Sequence, residues 1–250
     1  MNPRTQIRAV KVAFLAIQIM IVTVLMRSAF RDFSRAATSP DEDVSFDQWY
    51  GNWPAVVMIT AVFVFFLFFL TRPRKPKEWK DAGLTVAFFI SLFTEMFGIP
   101  LTIYLLAALL GVDPKLFGMY ESHLWAYFLS RTGMVSLETG VALVMVSSTV
   151  LIVLGIILLA TGWKKVYRGK SELVTDGLYA RLRHPQYLGL ILIVIAFLIM
   201  WPTILTLLLA PFLIVRYILL AREEDRELEN EFGDDFRRYR ETVPAFIPSM

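Results

Sequence analysis

The chain has 250 residues, 56% of them hydrophobic, with a mean hydropathy of +0.58, a net charge of +3, no cysteine and two histidines. Without cysteine there is no disulfide framework, thiolate nucleophile or thiolate metal site, and two histidines leave no basis for a His-rich metal centre, so no metal is expected. Several apolar runs exceed the roughly 18 residues that read as a spanning helix, and Lys and Arg gather beside them, as in an integral membrane protein rather than a nucleic-acid binder.

Residues 9–26 read as the first membrane helix. Lys11 lies inside that run and no small-residue cleavage site follows Met26, so the helix is expected to be uncleaved. A polar loop over 27–50 carries the acidic run Asp41-Glu42-Asp43, and a second helix rich in Phe and Val is expected over 54–70. The basic connection of Arg72, Arg74, Lys75, Lys77 and Lys80 follows. The third apolar run, 83–111, is interrupted by Glu95 and by Gly98-Ile99-Pro100, which predicts a bend in mid-membrane. There Glu95 either caps the kink or lines a substrate cavity.

Residues 112–138 are mixed, and Trp125, Tyr127 and Phe128 suggest an interfacial segment. A fourth helix is expected over 140–160, before Trp163-Lys164-Lys165. Residues 188–220 are apolar but carry Trp201-Pro202-Thr203 near the middle. That run is too long for one ordinary span, and it reads as a tight helical hairpin. The predicted fold class is therefore all-α integral membrane, with about six transmembrane helices, a C-terminal hairpin and a cytosolic C-terminal helix. Residues 1–137 form an N-terminal membrane region and 138–250 a second region carrying the candidate site. Placing the N-terminus in the cytosol puts Arg4, Arg8, the 72–80 connection, Lys164, Lys165, Arg168, Lys170, Arg181 and Arg183 on one side. They outnumber Arg27, Arg31, Arg35, Lys115 and Arg131 on the other, so both termini are expected to be cytosolic.

The stretch from 173 to 190 organises the second region. Thr175-Asp176-Gly177 reads as a turn, and Pro185 suits the first turn of a helix, where a missing N–H loses no internal bond. The helix start then offers free backbone N–H groups beside Arg181, Arg183 and His184, a corner suited to an anionic group. Tyr179 and Tyr187 add ring faces for a flat heterocycle. The same residues also suit interfacial anchoring and a helix cap. On a 3.6-residue repeat Tyr217, Ala221, Glu224 and Leu228 share a stripe, so Glu224 faces inward, while Arg216 shares the side of Glu223. A carboxylate so placed needs a partner. Arg183 or Arg216 can supply an ion pair, or a ligand's ribose hydroxyl or ammonium can satisfy it.

Taken together, Leu173-Val174-Thr175-Asp176-Gly177-Leu178-Tyr179, Arg183-His184-Pro185-Gln186-Tyr187-Leu188-Gly189, the hairpin, Glu223-Glu224, Glu231-Phe232-Gly233-Asp234-Asp235-Phe236 with Tyr239, and the ending from Val243 to Pro248 resemble the isoprenylcysteine carboxyl methyltransferase family and its prokaryotic relatives. The resemblance covers about 140–248. It implies a membrane methyltransferase of a prokaryotic cytoplasmic membrane that uses S-adenosyl-L-methionine and releases S-adenosyl-L-homocysteine. It further implies a cofactor held by Leu173, Val174, Gly177, Tyr179, His184, Pro185, Tyr187, Glu223 and Glu224; for the reaction the expected residues are Glu224 and, to orient an anionic acceptor, Arg183 or Arg216. The acidic pair aligns as Glu223-Glu224 or as Glu224-Asp225, and spacing to Phe232-Gly233 favours the second. The acceptor is expected to be lipophilic, bearing a carboxylate, thiol or amine, with the lipid bilayer as the other partner. Two other readings stay open: a sterol-reductase-like protein using a nicotinamide cofactor, and a non-enzymatic membrane binding protein or transporter.

Overall fold

The computed structural model describes residues 45–71, 76–168 and 173–246, with side chains for all of these except 66–71, 76–81 and 163–168. The expected first helix over 9–26, most of the loop after it, Arg72, Arg74, Lys75 and Pro248 lie outside the described residues. Those described form helices and connections, with no strand among them.

The helices are α1 (Phe46–Trp49), α2 (Trp53–Thr71), α3 (Pro76–Phe93), α4 (Leu101–Leu110), α5 (Leu124–Arg131), α6 (Leu137–Arg168), α7 (Pro185–Met200), α8 (Ile204–Phe232) and α9 (Asp234–Thr242). Within them, Leu137–Gly162 and Ile204–Phe232 are long and apolar enough to cross a bilayer, and Ala82–Gly98 with Leu101–Leu110 makes a third such stretch bent by 61°. Their outer faces are apolar too: Leu143, Val146, Val150, Leu208, Phe212 and Val215 are exposed. This is the surface that a lipid solvent requires.

The bend falls where Gly98 and Pro100 predict it. α3 runs into a π-helical turn, Thr94–Gly98, which widens the backbone, and α4 restarts after Pro100. Glu95, only 3% exposed, takes the capping role: its Oε2 accepts from the backbone N–H of Thr102 at 2.8 Å and from the Thr102 hydroxyl. Thr102 Oγ1 in turn accepts from the Ile204 N–H at 2.8 Å, tying this break to the turn between α7 and α8.

That turn is built as the sequence predicts. α7 ends before Trp201-Pro202, and Thr203 starts α8 in a reciprocal capping arrangement with Thr206, their N–H and hydroxyl groups exchanged at 3.2 and 3.1 Å. α8 then continues through Ala221 to Phe232, so the charged segment extends the apolar helix without a break. α6 departs from expectation by running longer than 140–160 in both directions. Trp125 on α5, expected at an interface, is exposed and donates from Nε1 to the Leu198 carbonyl at 2.9 Å.

α6 and α7 meet backbone to backbone. A Cβ on Gly189 would lie 2.5 Å from the Gly155 carbonyl oxygen, and one on Gly155 would lie 2.7 Å from the Gly189 carbonyl oxygen. Van der Waals packing, rather than expulsion of water, holds such helices together in lipid, and small residues permit the approach. The core that results joins Phe88, Leu92 and Phe93 of α3 to Leu159, Ile193, Val194, Leu213 and Tyr217. Gly189→Ala is expected to lower stability by about 1–3 kcal/mol through overpacking. Gly83→Ala, where no described atom beyond its own helical turn lies within 4 Å of the added carbon, is expected to be neutral or slightly stabilising. Thermal unfolding in detergent measures both.

Candidate functional site

Three pieces of chain converge where α7 begins. The first is the 173–184 segment, whose turn at Gly177 needs a positive φ of 63° and so suits glycine, followed by a short 3₁₀ turn, Gly177–Ala180. The second is the charged extension of α8. The third is the tail after α9, whose Pro244 and Ala245 carbonyls accept from the backbone N–H groups of Arg183 and His184 at 3.0 and 3.1 Å.

His184 caps α7, with Pro185 in its first turn, and is 1% exposed. Its Nε2–H donates to Asp225 Oδ1 at 2.8 Å, and its Nδ1 lies 3.5 Å from Glu224 Oε2. The latter is too long for a good hydrogen bond, and Nδ1 has no hydrogen-bond partner, but the distance is within ion-pair range. Arg183 Nη2 sits 3.2 Å from Asp225 Oδ2 and Nη1 donates to the Arg240 carbonyl at 3.3 Å, leaving Nε buried without a partner. Burial pushes the His184 imidazole down, the hydrogen bond to Asp225 and the neighbouring Glu224 push it up, and the carboxylates prevail, holding it above its ordinary 6.5.

Gln186 is buried between Tyr179 and Glu224. Tyr179 Oη lies 3.1 Å from Gln186 Oε1 and 3.2 Å from the Gly162 carbonyl, and Gln186 Nε2 donates to Glu224 Oε2 at 3.2 Å. Burial raises the Tyr179 phenol, so it is a neutral donor here. Tyr239, pushed up to about 12 by burial, donates to the Tyr179 carbonyl at 2.6 Å. Tyr187 is half-buried with its ring centroid 5.9 Å from that of His184, and Phe246 of the tail approaches His184 from 6.1 Å.

The structure therefore gathers Arg183, His184, Pro185, Tyr187 and Glu224 at one corner. Arg216 lies against Glu223 at 3.5 Å, one step around α8. Leu173 packs on Phe236, Tyr239 and Val243, Val174 is half-buried and Gly177 is exposed. Glu224 is paired with neither arginine by contact: Arg183 takes Asp225 and Arg216 takes Glu223. Asp225 is the more buried of the two carboxylates, with its side chain 14% exposed against 30% for Glu224. Its signal in the sequence was the second register of the acidic pair. Gln186 occupies the unspecified position of His-Pro-x-Tyr, where the motif carries no information.

Two of the three pieces, the 173–184 segment and the extension of α8, fall within one matched stretch. Residues 135–235 match the phospholipid methyltransferase family. The phospholipid methyltransferase match takes in α6, the 173–184 segment, α7, α8 and the start of α9, and so includes Arg183, His184, Gln186, Glu224 and Asp225. A protein-S-isoprenylcysteine O-methyltransferase of Schizosaccharomyces pombe is 32% identical over 83 residues, which is 32% of this chain and 35% of that protein. The chain thus spans about a third of the length of the curated relative it matches.

The raised His184 makes stability depend on pH with a definite sign. Its charged form gains from Asp225 and Glu224 only in the folded protein, so its contribution is full below 6.5 and fades as pH rises through the folded value. The melting-temperature advantage of the wild type over His184→Gln is expected to be largest in mildly acidic buffer and to shrink with alkalinity. A pH series of melts in detergent measures it.

Proposed function

We propose that the chain is an integral membrane methyltransferase that transfers a methyl group from S-adenosyl-L-methionine to a lipophilic acceptor. The observation that carries this reading is the corner itself: within the stretch that matches the phospholipid methyltransferase family, it offers both an unused cationic donor and an unused anionic acceptor. Arg183 Nε is buried without a partner, and Glu224 Oε1 carries no hydrogen bond among the described residues while Oε2 faces Gln186 and His184. A zwitterionic nucleoside with an ammonium, a carboxylate and a ribose diol matches that donor set. In this reading Arg183, with the start of α7, takes the carboxylate, Glu224 accepts from hydroxyl or ammonium, and Tyr187 offers a ring face. Leu173, Val174, Gly177, Tyr179, His184, Pro185 and Glu223 complete the surround. When bound, the cofactor supplies a methyl group activated on a sulfonium.

The chain's own contribution is positioning and exclusion of water. With Arg183 on the cofactor, Arg216 is left to orient an anionic acceptor, and an acceptor already carrying a carboxylate needs no general base. Deeper along the seam lies a cavity of about 130 Å³ walled by Val62, Phe89, Ile156, Leu190, Val194 and others, whose polar groups, Thr85 and Tyr217, are turned onto each other at 2.7 Å. Its walls suit hydrocarbon, and its size is that of a space that stays dry and holds benzene. We assign it to the part of the acceptor nearest the reacting group. Residues 138–250 are the catalytic region in this scheme and 1–137 the N-terminal membrane region, six spans in all, with the corner and both termini cytosolic. The excess of basic residues on that side supports the orientation.

Titration of the purified chain with S-adenosyl-L-methionine is expected to saturate, whereas titration with a reduced nicotinamide is not. Asp225→Ala and Glu224→Ala are each expected to weaken binding at least about tenfold, the first because it leaves Arg183 and His184 without their carboxylate and the second because it removes the acceptor for the ligand's hydroxyl or ammonium. Saturation by the nicotinamide alone would move the assignment to a reductase. A second expectation concerns the cavity. Val194→Phe fills it and is expected to raise the acceptor KM several-fold while the cofactor Kd stays unchanged, as read by labelled methyl transfer to lipid extracts and by calorimetry.

A further inference from the structure

The amide of Gln186 has only one sensible orientation. Its side chain, on a residue 4% exposed, lies between the phenol of Tyr179 and the carboxylate of Glu224. A carboxylate accepts and never donates, so the NH₂ must point at Glu224 and the carbonyl oxygen at Tyr179. The phenol, kept neutral by burial, has a proton for that oxygen. Tyr179 is itself anchored through its carbonyl, which accepts from Tyr239, and its hydroxyl reaches the Gly162 carbonyl on α6. The phenol's one proton is shared between the Gln186 and Gly162 oxygens, so the chain of donors runs from Tyr179 to Gln186 to Glu224, a carboxylate that is otherwise 30% exposed at its side chain.

We propose that Gln186 is a positioning residue for ligand capture: it holds Glu224 Oε2 so that Oε1 is turned out to accept from a hydroxyl or ammonium of the bound nucleoside. This rests on the reading that the corner holds S-adenosyl-L-methionine, and it adds which residue aims the carboxylate and through which oxygen. Without the amide, Glu224 keeps only the 3.5 Å approach of His184 Nδ1, and its three side-chain torsions are free to turn both oxygens to water. A long carboxylate with that freedom loses entropy on binding, and the chain of donors removes the loss in advance.

The test is a double-mutant cycle on cofactor affinity, using the full chain in detergent and calorimetric titration with S-adenosyl-L-methionine. Gln186→Met keeps the length and removes both polar atoms. It is expected to weaken Kd about tenfold beside native Glu224, in keeping with loss of a hydrogen bond to a charged group, and less than about threefold in a Glu224→Gln background. Equal losses in the two backgrounds, or no loss in either, overturn the role, because a residue that merely packs acts independently of Glu224. Should Gln186→Met fail to give a cooperative melt, Tyr179→Phe answers the same question, since it leaves Gln186 in place and removes the donor that orients it. It is expected to weaken Kd in the native background and not beside Glu224→Gln. A wild-type chain that shows no saturable binding sinks the cofactor reading and this role with it, whereas a wild type that binds with an additive cycle sinks this role alone.

Discussion

Asp225 joins two parts of the chain that have no covalent reason to meet. One carboxylate oxygen accepts from the His184 Nε2–H at 2.8 Å and the other lies 3.2 Å from Arg183, so a single side chain on α8 holds the two residues that precede α7. Two charges in so dry a setting are expensive, and truncating either leaves the other uncompensated. The triad is therefore weak as a source of stability and strong as a geometric specification. The tail obeys the same constraint: Pro244 and Ala245 bind the backbone of the very residues that Asp225 fixes from the side-chain direction. With Arg183 and His184 held from two sides, the start of α7 has a defined orientation, and Gln186 and Tyr187 inherit it.

The opposite end of α7 is tied by different chemistry. α7 is 16 residues long, about 24 Å, and at its far end Thr102 links Glu95 at the break of the bent span to the first N–H of α8, that of Ile204. Neutral hydroxyls and one capped carboxylate do there what ions do at the His184 end. Between these two fastenings the Gly155 and Gly189 backbones touch, so α6 and α7 cannot slide without collision. The bundle is thus fixed at both ends and pinned in the middle, which suits a site whose parts come from separate helices.

Much of this was legible in the residues because it depends on local chemistry. Pro100 and Pro202 disfavour helix continuation and mark the bend and the hairpin turn, although α8 carries Pro211 in its interior, and Pro185 marked the start of α7. The inward stripe through Tyr217, Ala221 and Glu224 follows from helical period alone, and Tyr217 and Ala221 are buried as the period requires. Pairing was not legible. Arg183 and Arg216 were both reasonable partners for Glu224, yet each lies against its neighbour in sequence instead, because a one-residue step on a helix turns the side chain by about 100° and only the crossing of α7 over α8 decides which carboxylate meets which cation. Gln186 escaped for a related reason: its role exists only once Tyr179 and Glu224 stand on either side of it.

The unbroken run of α8 explains why the corner lies where it does. Glu224 comes 20 residues after Ile204, about 30 Å along a straight helix, which equals the hydrocarbon thickness of a typical bilayer. A helix that crosses such a layer from Ile204 would carry its carboxylates to the far boundary, and it does not stop there: Leu228 and Phe232 continue past them to pack against Phe236, Tyr239 and Val243. On the function proposed above, a charged nucleoside in water and an acceptor in lipid would meet at such a boundary. The apolar cavity lies about two turns of α8 below it, at Tyr217, and the spare groups of Arg183 and Glu224 lie at it. The change in composition at Ala221 sets this height, since it marks where the same helix stops facing acyl chains and begins to carry ions.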